Sequence, residues 1–126
     1  MTRRVATFSG MTPSPTDTTT AAPFIDAAGF TTLVEQGRGL ALVDFTADHC
    51  PPCRVLAPQV DALARELAGR VTVAKVDVDH HPELTARFGI RGTPTLLFFR
   101  DGVMVDRILG AVPVARLREK VQELGG

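Results

Sequence analysis

The 126-residue chain contains no tryptophan, no tyrosine and only two cysteines. Two cysteines cannot build the several-bridge framework of small secreted domains. They stand at 50 and 53, so a bridge between them closes a tiny loop and removes little unfolded-chain entropy. Stapling the fold is therefore the weakest reading of the pair. Charge of one sign is missing too: 14 basic and 14 acidic residues leave a formal net charge of zero, with no long run of either. That argues against a general binder of nucleic acid or of anionic membranes. No stretch approaches the roughly 18 consecutive apolar residues of a membrane span. MTRRVATFSGMT also lacks the apolar core of a secretory signal. Without tryptophan, indole fluorescence cannot follow the chemistry, and thiol labelling must serve.

Apolar residues make up 44% of the chain, enough for a real core in one domain. Residues 1–21 read as a disordered leader. TPSPTDTTTAA is rich in Thr, Pro and Ser and has no apolar periodicity. Arg3 and Arg4, with no acid before Asp17, leave two readings: a short organelle transit peptide or a solvated leader. Met11 is an alternative start. From Pro23 the chain becomes regular. Phe30, Leu33 and Val34 recur at helical spacing. LALVDF (40–45) is the near-continuous apolar run of a strand buried on both faces. In PPCRVLAPQVDALARELAG (51–69), Leu56, Val60, Leu63 and Leu67 make a helical stripe. Pro51 or Pro52 fits its first turn, and Pro58 should kink it. VTVAKVDV (71–78) reads as a strand and HPELTARFG (81–89) as a short helix. PTLLFF and VMVDRIL flank Asp101-Gly102, a strong hairpin signal. Val114, Leu117, Val121 and Leu124 mark a last helix. One strand–helix–strand crossover and one hairpin predict an α/β fold. Its mixed central sheet has four to five strands with helices on both faces, and a short strand near Phe24-Ile25 supplies the fifth.

ADHCPPCR (47–54) lies just past the end of the first long strand, at a helix start. Open α/β sheets place their chemistry there. A helix N-terminus stabilises a thiolate through its dipole and unpaired N–H groups. Cys50, outside the helix, is expected to be the more exposed and more acidic thiol, and Cys53, one turn in, the more buried. Cys50 would then attack a substrate disulfide and Cys53 would resolve the mixed disulfide. Asp44 interrupts the apolar run six residues before Cys50. It either points under the helix start, with a raised pKa and a proton to shuttle, or faces water at the strand end. Lys75, on the neighbouring strand, is either its ionic partner or an ordinary surface lysine.

VDFTADHCPPCR, VAKVDVD, FGIRGTPTLLFF and DGV…LGAV, in this order and spacing, resemble the thioredoxin family over residues 22–124 or so. ELTARFGIRGTPT and GAVP look closest to the bacterial thioredoxin-2-type branch. The N-terminal cysteine-rich zinc segment usual there has no counterpart, because residues 1–21 contain no cysteine. The resemblance implies a thioredoxin-like domain over 22–126 and a protein-disulfide reductase. Its redox pair would be Cys50 and Cys53, with Asp44 as the buried carboxylate and Lys75 as its partner. Thr93 and Pro94 would form a cis peptide beside the thiols, where the backbone pairs with a substrate strand. Gly92 and Gly110 would frame the surface around them. No bound cofactor is implied. Electrons would come from NADPH through a flavin-dependent thioredoxin reductase, the other partners being disulfide-containing clients. No nucleic acid or membrane is implied, and a cytoplasmic monomer is expected.

The motif departs from the family's WCGPC: His49, Pro51 and Pro52 surround the cysteines, and Thr46 replaces an aromatic. Proline has no N–H, so Cys50 is left with the Cys53 amide, the Cys53 thiol and the helix dipole. His49, when protonated, would favour the Cys50 thiolate and couple its reactivity to pH around 6–7.5, near the reference histidine pKa of about 6.5. The other reading of His49 is a surface residue in the place of a packing aromatic. Two alternative functions stay open. One is a more oxidising oxidase or isomerase. The other is a metal or iron–sulfur site using Cys50, Cys53, His49 and His80 or His81, although one CxxC supplies only two of the four ligands structural zinc wants.

Overall fold

The computed structural model describes residues 22–126. The leader expected over 1–21 lies outside the described residues. The apolar run 40–45 becomes β1 (Leu40–Thr46), buried along all but its last residue. It is buried because it is an inner strand. β2 (Val71–Asp77) pairs with it in parallel on one edge, and β3 (Thr95–Arg100) pairs antiparallel on the other. β4 (Val103–Leu109) adds antiparallel to β3, giving the order β2-β1-β3-β4. The fifth strand expected near Phe24-Ile25 is a single parallel bridge. Ile25 donates its N–H to the Lys75 carbonyl and Lys75 donates to the Pro23 carbonyl, both at 2.8 Å.

Asp101 and Gly102 close the hairpin with φ of 50° and 86°. Both angles are left-handed, as a two-residue turn matched to strand twist requires. A side chain at 102 would also place its Cβ 2.3 Å from the Glu35 carbonyl oxygen, so only glycine fits.

Strand alternation sorts the core into two layers. On one face Leu40, Leu42, Val71, Val73, Leu96 and Phe98 pack under α2 (Pro51–Glu66) and α4 (Val114–Glu123). α2 buries Cys53, Leu56, Val60 and Leu63, the stripe read from the sequence, and runs on through Pro58. On the other face Ala41, Val43, Phe45, Ala74, Val76, Leu97 and Phe99 pack under α3 (Pro82–Arg87) and α1 (Ala27–Phe30), which continues as a wider turn over Thr31–Glu35. Phe30, Phe45, Phe88 and Phe99 form an aromatic cluster there, with ring centroids 5.3–6.1 Å apart. The parallel strands β1 and β2 therefore end, at Thr46 and Asp77, on the same side of the molecule, and β1 delivers the chain to the start of α2.

Candidate functional site

Cys50 is the N-cap of α2, with extended backbone (φ −128°, ψ 100°). An N-cap side chain ordinarily accepts from the second or third helical amide. Here the first two helical residues are Pro51 and Pro52, so the Cys53 N–H alone reaches the Cys50 Sγ, at 3.3 Å. Arg54 donates its amide to the Cys50 carbonyl at 3.1 Å and begins the helical ladder. Its guanidinium also donates to the Asp48 carbonyl, tying the preceding turn to the helix. Cys50 and Cys53 are joined in a disulfide. Cys50 is 7% exposed and Cys53 2%, in the order expected although both are buried.

The second wall of the site is the loop before β3. The Thr93 carbonyl oxygen lies 3.4 Å from the Cys50 Sγ. The Thr93–Pro94 peptide is cis and Pro94 is buried. Gly110 donates its N–H to the Pro94 carbonyl at 2.8 Å, and its φ of 93° lies in the left-handed region that favours glycine. The Gly92 carbonyl accepts from the Thr95 hydroxyl at 2.6 Å. Gly92 itself is exposed, as are His49, Pro51 and Pro52. The disulfide thus sits at the rim of a surface made by two prolines, a histidine and a glycine-framed loop. Of these, Cys53, Thr93 and Pro94 are brought to Cys50. His49 makes no hydrogen bond or ion pair among the described residues.

Beneath α2, Asp44 and Lys75 are register partners on adjacent parallel strands. They share the face of Leu42 and Val73, the layer in which Cys53 is buried. Asp44 is 1% exposed, and its Oδ1 has no hydrogen-bond partner among the described residues. Burial pushes its carboxyl up to about 7, Lys75 opposes that rise, and the negative charge of Asp61 adds to it. Of the two sequence readings of Asp44, burial under the helix is the one the fold adopts.

The expected partnership of Lys75 needs correcting. Its ammonium does not pair with Asp44 but sits 2.9 Å from Asp61 Oδ1, on α2. Register alone set the two β residues side by side, but a lysine stem is long enough to reach the layer above. The same Asp61 oxygen accepts the Ala22 N–H at 3.0 Å. Phe24 lays its ring against Lys75, 5.3 Å from Nζ. Asp61 and Phe24 were not singled out in the sequence. A signal for Asp61 exists: it flanks the apolar stripe two turns after Cys53, beside Val60.

The metal alternative finds no support in the arrangement. Among the described residues no group of three or more His, Cys, Asp and Glu side chains is placed to hold an ion. His80 is paired instead with Asp77, at 3.2 Å. Among the described residues no helix is long and apolar enough to cross a membrane.

A thioredoxin family model matches residues 22–123. Among curated relatives, the chloroplastic M-type thioredoxin of Pisum sativum is 48% identical over 82 residues, 65% of this chain and 48% of that protein, so the chain spans about half its length. The thioredoxin of Rhodospirillum rubrum is 40% identical over 98 residues, covering 78% of this chain and 94% of the relative. That of Synechocystis sp. is 38% identical over 103 residues, covering 82% and 96%. None of these three names places the chain in the thioredoxin-2-type branch.

Proposed function

The chain belongs to the thioredoxin family and is a thiol–disulfide oxidoreductase, and from that premise we propose that it works as a reductant of protein disulfides with Cys50 as the attacking thiol. The observation that carries this is the placement of the Cys50 sulfur. It caps α2, faces the Thr93 carbonyl, and lies just beneath the exposed His49, Pro51 and Pro52. An extended client chain could add to the backbone of that loop as a short strand, bringing its disulfide to Cys50.

In the dithiol form, the Cys50 thiolate attacks one client sulfur. A Cys50–client disulfide forms, and the client's second sulfur leaves as a thiolate that takes up a proton. Cys53 loses its proton to Asp44 and attacks the Cys50 sulfur. The Cys50–Cys53 disulfide forms, and the first client sulfur leaves and is protonated in turn. Two electrons have passed from the dithiol to the client. Asp44 suits the base role because its carboxyl, held up to about 7, exchanges a proton near neutral pH in the layer where Cys53 is buried. Lys75 acts on Asp44 through its charge. Family members need no bound cofactor, and NADPH acting through a flavin-dependent thioredoxin reductase is the proposed electron supply. A cytoplasmic monomer acting on disulfide-containing clients completes the reading.

A redox titration of the Cys50–Cys53 pair against glutathione separates this reading from the more oxidising alternative. Reduction of insulin disulfides by dithiothreitol is the test. Catalytic amounts of the protein should accelerate it severalfold or more, and a rate equal to dithiothreitol alone would remove the reductase reading.

A further inference from the structure

Asp44 and Asp61 share one lysine, and Lys75 rests on Asp61. Its ammonium is 2.9 Å from Asp61 Oδ1, while Asp44 Oδ1, buried in the same layer, has no hydrogen-bond partner among the described residues. Asp61 is itself fixed. It rises from the middle of α2 and accepts the Ala22 amide at 3.0 Å, so the N-terminal segment, α2 and β2 meet on its carboxylate. Phe24 covers the lysine from the fourth side. The Lys75 side chain is only 8% exposed and cannot wander into solvent.

We propose that Asp61 is a positioning residue for the disulfide exchange: by holding the Lys75 ammonium on α2, it keeps that cation off Asp44 and leaves the Asp44 carboxyl free to exchange a proton with Cys53. This rests on the reading of Asp44 as the proton carrier, but its physical content is separate. The groups facing Asp44 are few. β2 offers Lys75 and α2 offers Asp61 and the Cys53 sulfur, while β3 places the neutral Leu96 opposite. Two of those charges set how readily Asp44 ionises. The lysine favours the carboxylate, and Asp61 opposes it both by its own charge and by holding the lysine. Without Asp61, a buried ammonium with no other ion-pair partner among the described residues would turn to Asp44, since an unpaired buried charge is costly.

The experiment follows the Asp44 side-chain carboxyl carbon by NMR as a function of pH. It uses the oxidised protein, in which neither cysteine titrates. In Asp61→Asn the Asp44 midpoint should fall by about one pH unit, within the usual reach of a newly adjacent cation. In a Lys75→Met background the same substitution should move the midpoint much less. A folded Asp61→Asn protein with an unchanged midpoint would overturn the proposal. So would a shift that is undiminished in the Lys75→Met background, because Asp61 would then act by charge alone. A purely structural role would lower the unfolding midpoint and leave the titration in place. Should Asp61→Asn not fold, Asp61→Ser read the same way carries the same outcomes. The titration does not depend on turnover, so it separates this claim from the role of Asp44 in the reaction.

Discussion

On the face covered by α1 and α3, β1 presents Ala41, Val43 and Phe45. On the face covered by α2 and α4, the same strand presents Leu40, Leu42 and then Asp44. β2 repeats the contrast, with Ala74 and Val76 below and Val71, Val73 and then Lys75 above. One layer is hydrocarbon and four phenylalanine rings. The other changes character toward the C-terminal ends of its strands, where a carboxyl and an ammonium replace aliphatic side chains under the helix that carries the cysteines. Period-2 alternation makes this separation available, because neighbouring residues of one strand serve different layers. The lower layer can be optimised for stability while the upper one gives some of it up for a proton carrier.

The largest effect should come from the dry layer. Phe45→Ala removes a fully buried ring from the aromatic cluster and should cost about 3–5 kcal/mol of stability. Chemical denaturation measures it, and the pH dependence of exchange in the folded variant should stay that of the wild type. A cost below about 1 kcal/mol would mean the lower layer is not the stabilising one.

Asp44→Asn should act with the opposite sign. The Asp44 carboxyl lies at about 7 in the fold against an ordinary 3.8. Between those values the unfolded chain has lost this proton and the folded chain keeps it. Stability therefore falls as pH rises through that window and stays reduced above it. Asparagine does not titrate, so the variant should be more stable near pH 8 by up to about 4 kcal/mol, and no more stable near pH 3. Cys53 attack on a mixed disulfide should slow by at least about tenfold in stopped-flow exchange. A variant that gains stability but resolves at the wild-type rate would leave Asp44 a costly residue with no part in proton transfer.

Much of this is legible in the amino-acid sequence. Apolar runs, the helical stripe 56–67 and Asp101-Gly102 specify their elements through strictly local physics. CPPC at a strand–helix junction has few uses besides redox chemistry. Asp44 was visible as one acid in an apolar run, although its orientation was open, since an acid at a strand end more often faces water. Asp61 was harder to see. A charged residue on a helix margin reads as a solvated face, and only assembly of three segments shows that it lies over Lys75. The Lys75 ammonium lies on Asp61 and not on Asp44 for the same reason. Register is a backbone property, and where a four-carbon stem places its ammonium depends on the layer above. The fifth strand shrank to one bridge because only Pro23–Ile25 reach the Lys75 backbone groups.

The central claim is that one sulfur attacks and its neighbour resolves. The direct measurement is intact-mass analysis after mixing reduced single-cysteine variants with a peptide disulfide. Cys53→Ser should accumulate one peptide adduct on Cys50, released by dithiothreitol, while Cys50→Ser should form none at the same rate. Equal adduct formation by the two variants, or a stable adduct only on Cys53, would contradict the account.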